Sequence, residues 1–431
     1  MVAFGKKLEK FMLRAGQPHV FYNTMLSAYA QKFKPEKTNA HLVSAQIELT
    51  LRCNLFCPMC ESPLIRETTG DMTFEHFKKI VDECPGLISL NLTGIGEGML
   101  VKEFPEMLKY AKSKGIYTWF TTNGTLLYEK FTKQFFEIGV DEVVISFDGS
   151  NKETFDAVRL GASFEDVVKK LKDFAALKKQ MGAKKPKLTF GTTLVWENIR
   201  QLPDIVRLAG EIGIEEVIIG AGLVMLDKPE AVINAATPKM SKPEMYALFE
   251  EAKRIGAEKG MKVSVEIPPT AHGEECDCVK PWTTCYITKD GYFFPCCEIT
   301  QRRIPRAQLV KHAFGNVFTQ NVGEIINSLA YQKLRKGIKD PNERWILCKG
   351  CDRCRKPEEI AAKPPAIPIK VEMEAVPEQM QQASGAEPSQ AAESSEQSPS
   401  QSADAAGVEP SQAAEEKTQL PSEQSDEPAA S

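Results

Sequence analysis

Short apolar, β-branched runs alternate with longer stretches of helical periodicity through the middle of this chain. Runs at 45–50, 88–92, 117–121, 142–147, 187–194, 216–219 and 262–266 are rich in Val, Ile, Thr, Phe and Tyr and read as strands. Between them, the stretches at 73–82, 104–113, 128–138, 164–179, 199–212 and 242–258 place apolar residues on one helical face. Gly115, Gly139, Gly213 and Gly260 fall where helix C-caps belong. Six or seven consecutive βα units predict an α/β fold built on a parallel sheet. A barrel, a partial barrel and an open doubly wound sheet all give this periodicity.

The flanks differ in pattern. Residues 1–42 form a leader in which Phe4, Leu8, Phe11 and Met12 recur at helical spacing among Lys6, Lys7, Lys10 and Arg14. A basic amphipathic helix of this kind lies on a membrane surface or covers a core edge. Residues 43–268 carry the βα units, and 269–360 are cysteine-rich. Residues 361–431 are Pro, Ala, Ser, Gln and Glu with almost no aliphatics, and contain the near-repeat GAEPSQAAE and GVEPSQAAE. Such a segment cannot bury enough apolar surface to offset its ordering entropy, so a disordered tail is expected.

Composition narrows the class further. Of the 431 residues 42% are hydrophobic, enough for a sizeable soluble core. No apolar run reaches the length of a membrane span, and no secretory signal is recognisable, so a cytoplasmic protein is expected. The net charge of −4 conceals an asymmetry. From residue 371 onward there are thirteen Asp/Glu and one Lys, a net of −12, which leaves +8 on the other 370 residues. A moderately basic body suits an anionic small molecule, an acidic peptide or a membrane surface. The charge is too dispersed to argue for nucleic acid.

The cysteines carry the chemistry. All twelve except Cys84 lie in tight groups, which without an export signal points to metal rather than disulfides. Cys53, Cys57 and Cys60 have the spacing C-x3-C-x2-C directly after the first strand. A cubane cluster normally takes four thiolates, so three local ones leave one iron open to substrate or cofactor. Zinc is the competing ligand for cysteines, but zinc sites favour paired C-x2-C elements. With Phe56 before the second cysteine, the motif resembles that of the radical S-adenosylmethionine (radical SAM) enzymes. The resemblance implies a partial (β/α)6 barrel of TIM type, and a [4Fe–4S] cluster whose open iron chelates S-adenosylmethionine (SAM). It further implies cleavage of SAM to a 5′-deoxyadenosyl radical that abstracts hydrogen.

Other positions fit the same family. Gly94, Gly96 and Glu97, in the turn after the second strand, are similar to its Gly-Gly-Glu motif, which holds the SAM amino group; Gly98 replaces a frequent proline. Thr121-Thr122-Asn123-Gly124 matches a segment common in relatives, and equally an ordinary turn. Ser146 and Arg159 stand where relatives contact the SAM ribose or carboxylate, and Arg suits bidentate carboxylate binding. Asn198 matches a recurrent position, and 220–225 would wall the adenine by analogy.

Cys278-x12-Gly291-x4-Cys296, with Pro281-Trp282, Asp290-Gly291 and Pro295-Cys296-Cys297, resembles the SPASM auxiliary-cluster domain. Asp-Gly between apolar runs is itself a hairpin signal, which brings Cys278 and Cys296 towards one metal. Cys348, Cys351 and Cys354 complete the set as C-x2-C-x2-C, short of the full SPASM pattern. At least one auxiliary iron–sulfur cluster is therefore expected, with zinc as the alternative. The five histidines are scattered, without HExxH, and no serine sits in a G-x-S-x-G elbow.

The expected protein is a radical SAM enzyme that oxidatively modifies a peptide or protein side chain, reduced by a donor such as flavodoxin or ferredoxin. Action on a small metabolite, sugar or lipid is the alternative substrate reading. A non-catalytic iron–sulfur electron carrier is the alternative from another class.

Overall fold

The parallel strands form in the order the pattern predicts: β1 Ser44–Ile47, β2 Ser89–Asn91, β3 Tyr117–Thr122, β4 Glu142–Ser146, β5 Lys187–Thr193, β6 Glu216–Gly220 and β7 Lys262–Glu266. The computed structural model describes residues 17–60, 70–220, 240–266, 276, 278–299, 306–349 and 351. The chain divides into two units, Met1–Val376 and Pro377–Ser431, and the described residues all lie in the first. The expected disordered tail lies outside them, as do residues 1–16, 221–225 and Cys354.

Strands β1 to β7 lie side by side in sequence order, every pair parallel. This is the staircase of a partial barrel. Its helices are α2 Phe74–Asp82, α3 Phe104–Ser113, α4 Glu129–Ile138, α5 Lys152–Val158, α6 Phe164–Gln180, α7 Leu202–Ile212 and α8 Lys242–Glu258, preceded by α1 Pro18–Phe33. Thr73, Asn151, Ser163 and Ser241 cap helix N-termini by accepting a backbone N–H three residues on. Gly115, Gly139, Gly213 and Gly260 all take positive φ at helix ends, as their placement in the sequence implies. One continuous core joins the inner helix faces to the sheet, for example Phe104 edge-on to Phe120 at 4.9 Å and Phe147 stacked on Phe190 at 4.4 Å.

Polar side chains fill the N-terminal end of the barrel. Glu142 at the start of β4 accepts from Tyr117 (3.0 Å), Thr189 (2.8 Å) and Lys187 (3.2 Å). Lys187 and Lys262 both pair with buried Glu216. This end is closed by mutually compensating charge, and the chemistry falls to the opposite rim, where barrel ligands meet.

The cysteine-rich region joins the same sheet. After α9 Lys280–Thr283, β8 Thr284–Ile287 pairs parallel with β1 on the side away from β2. Asp290-Gly291 then turns the chain, with Gly291 at φ 83°, and β9 Phe293–Phe294 returns antiparallel. Helices α10 Arg306–Leu309, α11 Val322–Asn327, α12 Leu329–Lys339 and α13 Ile346–Lys349 follow.

Arg335 on α12 ties this region to the leader. Fully buried, it donates to the carbonyls of Pro281 (3.2 and 3.0 Å), Ile326 (2.7 Å) and Glu36 (3.0 Å). Arg335→Ala strands these carbonyls away from water and is expected to lower unfolding free energy by about 3 kcal/mol. Denaturant unfolding of the two proteins measures this; an unchanged midpoint would show the arginine to be dispensable.

Candidate active site and auxiliary cluster site

The three cysteines after β1 share one apolar pocket. Leu55, Cys57, Met59, Val158 and Val195 are buried together, with Cys53, Cys60 and Ala162 packed against them. The loop is pinned by its own backbone: Phe56 N–H donates to Leu160 O (2.8 Å) and Cys60 N–H to Cys57 O (3.0 Å). Leu55 N–H points at Cys53 Sγ from 3.4 Å. Burial pushes the Cys53 thiol up to about 11 and raises Cys57 as well, so a positive metal centre is what would hold them as thiolates. Among the described residues no three His, Cys, Asp or Glu side chains close round a single-ion point. In a cubane each thiolate faces a different iron, so its ligands surround a cluster.

The glycine-rich turn after β2 nests against this loop. A Cβ on Gly94 would sit 2.3 Å from Glu48 Cγ, and one on Gly96 would sit 2.5 Å from Thr50 O and 2.6 Å from Arg52 O. The contact is sealed by Glu97 N–H donating to Arg52 O at 2.8 Å. Arg52 is itself held by Asp71, which also accepts from Thr50 Oγ1 (2.7 Å). The Glu97 carboxylate is buried and accepts from Asn123 N–H (2.8 Å) and Met99 N–H (3.2 Å). Burial raises its pKa, against those backbone donors. Asn123 also donates through its side chain to Asn54 Oδ1 (2.8 Å), within the cysteine loop. The Thr-Thr-Asn-Gly segment is thus more than a turn: it braces both Glu97 and the cysteine loop.

Ser146 stands half-buried at the C-terminal end of β4, opposite Gly191 of β5. Arg159 follows α5 and lies with Nη1 3.9 Å from Cys57 Sγ. Burial opposes its charge, but Asp148, Cys57 and Cys60 outweigh this and raise its pKa. Asp148, fully buried, pairs with Arg159 and accepts Thr193 N–H at 2.7 Å. Asn198 donates to Asp148 O (3.1 Å) and Thr193 O (2.9 Å), which fixes the β4 and β5 exits relative to each other. Arg159 Nε is buried without a partner, a donor left for an anion in the pocket. Three thiols, a buried carboxylate and an arginine with a spare N–H fit a cluster that chelates an amino acid.

In the cysteine-rich region Cys296 lies near Cys297, Cys348 and Cys351, and Cys278 packs in the same apolar cluster as Cys351. Cys296 is raised first by burial, opposed by Lys280, with Cys297, Cys348 and Cys351 near enough to add to the rise. Cys278 and Cys351 pack into one cluster with Trp282, Ile338 and Ala30.

The sequence did not single out Glu48, Tyr286 or Arg306. Glu48 continues β1, is fully buried, and accepts from Tyr286 Oη (2.7 Å) and Arg306 Nη2 (2.8 Å). Arg306 also reaches Asp290 at 3.1 Å, so one guanidinium joins the auxiliary hairpin to the barrel rim. A charged residue inside an otherwise apolar strand exit was the available signal at Glu48.

The radical SAM superfamily model matches residues 47–181, and the SPASM iron–sulfur cluster-binding domain matches residues 276–355. The PqqA peptide cyclase of Granulibacter bethesdensis is 30% identical over 323 residues, covering 71% of this chain and 78% of the relative. The tungsten-containing aldehyde ferredoxin oxidoreductase cofactor-modifying protein of Pyrococcus furiosus is 28% identical over 317 residues, covering 71% and 86%. The fold is similar to that of Streptococcus suis SuiB bound to S-adenosylmethionine, with TM-score 0.57 at 15% identity over 72% of this chain and 70% of that one. A partial barrel with a three-cysteine loop and a SPASM module defines an iron–sulfur enzyme that uses SAM. The chain belongs to the radical SAM superfamily. Its cofactors are a [4Fe–4S] cluster with an open iron, SAM, and at least one auxiliary iron–sulfur cluster.

Gly96→Ala tests the nested turn. The added methyl cannot fit against two carbonyl oxygens, so the variant is expected to lose about four irons per chain on anaerobic reconstitution, with the auxiliary iron retained. Iron analysis measures it, and a full iron complement would show that the loop tolerates displacement.

Proposed function

We propose that this enzyme abstracts hydrogen from a side chain of a peptide and oxidises it. The observation that carries the reading is the gathering of Cys53, Cys57 and Cys60 with Glu97 and Arg159 at the strand exits, where Ser146 also ends β4. In this reading Cys53, Cys57 and Cys60 hold the catalytic cluster, and the glycines at 94 and 96 let the chain approach SAM closely. Glu97 accepts from the SAM amino group, Arg159 donates to its carboxylate, and Ser146 contacts the ribose. Asp148 keeps Arg159 charged and oriented. Cys278, Cys296, Cys348, Cys351 and Cys354 supply the auxiliary ligands. The cofactor, when bound, supplies the radical chemistry, while these residues orient it and keep water out.

A peptide substrate is supported by the similarity to PqqA peptide cyclase. The relative from Pyrococcus furiosus, named for modifying a cofactor, supports a small-molecule substrate as the second reading. Either needs a low-potential donor, such as flavodoxin or ferredoxin. Among the described residues no helix is long and apolar enough to cross a membrane.

Anaerobically reconstituted protein, reduced in the presence of SAM, is expected to form 5′-deoxyadenosine. The Cys53/Cys57/Cys60→Ala triple variant forms none and keeps the auxiliary iron, about four atoms per chain. Iron-loaded wild type that leaves SAM intact with every candidate substrate would sink the ligand assignment. Incorporation of solvent-exchange-silent deuterium from a labelled peptide into 5′-deoxyadenosine separates the peptide reading from the small-molecule one. Asp148→Asn removes the charge that steadies Arg159 and is expected to raise KM for SAM about tenfold with the cluster spectrum unchanged. An unaltered KM would remove Arg159 from the SAM carboxylate.

A further inference from the structure

Helix α1 is inside out. Its buried positions are Val20, Asn23, Ser27 and Ala30, mostly small or polar. Its outer positions are Phe21, Tyr22, Met25, Tyr29 and Phe33, each more than half exposed. These five make up nearly half of the eleven exposed large apolar side chains among the described residues. Phe21, Met25, Tyr29 and Phe33 recur every fourth residue and so form one stripe, and Tyr29 lies against Phe33 at 4.6 Å. The inner face is anchored: Asn23 accepts from His41 N–H (2.7 Å) and donates to His41 O (3.1 Å). The helix therefore cannot turn its aromatics inward without breaking a pair of bonds to the backbone.

The inner face touches the auxiliary site. Leu26 and Ala30 share one apolar cluster with Cys276, Cys278, Cys351 and Trp282. Lys34 Nζ donates to Cys276 O at 3.2 Å, and Trp282 Nε1 to Pro35 O at 2.7 Å. Small residues inside bring the helix backbone close to those cysteines. The aromatic stripe is thus separated from the auxiliary cysteines by one helix thickness, about 10–12 Å with side chains. The surroundings are basic. Lys32 lies 5.4 Å over the Phe33 ring, and Lys37 is exposed just beyond the helix.

We propose that the aromatic face of α1 is the docking surface for an acidic one-electron carrier, a small flavoprotein or iron–sulfur protein. The occupant follows from three coincident observations: an apolar centre of aromatic and Met side chains, a lysine rim, and a redox-ligand set on the other side of the same helix. Electron-transfer encounters are small and weak, and are steered by opposite charge. Aromatic residues and Met are the types enriched at interface centres. A bilayer would be served by such a stripe anywhere on the surface, whereas a carrier needs it over a redox centre. The exchange is of one electron, lost by one partner's centre and gained by the other's, with no bond made or broken. The proposal rests on the auxiliary-ligand assignment made under the proposed function.

The test uses full-length reconstituted protein and a purified acidic flavodoxin. Affinity is read by fluorescence anisotropy of labelled flavodoxin, and contacts by carbodiimide cross-linking of its carboxylates. Two variants are compared with wild type: Phe21→Ser/Tyr29→Ser/Phe33→Ser, and Lys32→Glu/Lys37→Glu. Each is expected to bind flavodoxin about tenfold more weakly, while dithionite-driven formation of 5′-deoxyadenosine is unchanged. Wild-type affinity falls with added salt, and Lys32 or Lys37 carries the cross-link. Undiminished affinity in both variants overturns the proposal. So does a stripe variant that loses binding to phosphatidylglycerol vesicles, or dissociates a dimer, while keeping its flavodoxin affinity. Should the aromatic variant fail to fold, the charge variant decides alone, since both lysines are exposed. Failure of wild type to cleave SAM with dithionite would instead strike the enzymatic reading, and the binding measurement would stand.

Discussion

The site depends on a backbone-to-backbone approach that only glycine permits. The turn after β2 lies so close to residues 48–52 that a single methyl at Gly94 or Gly96 would occupy the space of Glu48 or of the Thr50 and Arg52 carbonyls. Real side chains do not tolerate such contacts. Because the approach is made by main chain, it leaves little freedom: once β1 and β2 are paired, the cysteine loop and Glu97 are fixed relative to each other. Asn123 then locks the third strand exit to both, through Glu97 and through Asn54. Three successive barrel strands thereby hold one small volume rigidly, as chemistry with a reactive intermediate demands.

Around that volume, buried charges are arranged in complementary pairs. Arg159 with Asp148 and Arg306 with Glu48 are both held in low-exposure positions at the rim. Breaking one partner of such a pair leaves an uncompensated charge, which is far more disruptive than replacing both. Each pair also crosses a boundary between elements. Asp148 belongs to a strand exit and Arg159 to the end of α5, while Glu48 belongs to the barrel and Arg306 to the auxiliary region. Charge pairing therefore fixes orientation here as much as it stabilises.

Much of this was legible in the chain. The seven parallel strands were readable because βα alternation imposes both a period and a run length, and the four cap glycines because left-handed backbone needs them. Cys53, Cys57, Cys60 and Glu97 were readable because their spacing is local and tied to a strand exit. Tyr286 and Arg306 were not, because their shared partner Glu48 lies 238 and 258 residues away and nothing local marks them; at Glu48 itself the one local signal was a charge within an apolar strand exit. Asp148 sits in a motif whose serine drew attention, but its work is to hold Arg159 across a turn. The inverted polarity of α1 was hidden for another reason: an aromatic run at helical spacing does not say which face is buried, and only the packing of Asn23, Ser27 and Ala30 shows it.

The pairing of β8 with β1 has a consequence for how the chain is made. The edge of β1 stays unpaired until a strand synthesised nearly 240 residues later arrives to cover it. Contacts of such long range close late in folding, and an open strand edge invites intermolecular pairing meanwhile. The nascent barrel is therefore a sticky intermediate for most of translation, and the auxiliary module acts as its edge protector as well as its neighbour. Splitting the protein at the barrel boundary to obtain a minimal SAM-binding unit would expose that edge permanently and yield aggregates rather than a smaller enzyme.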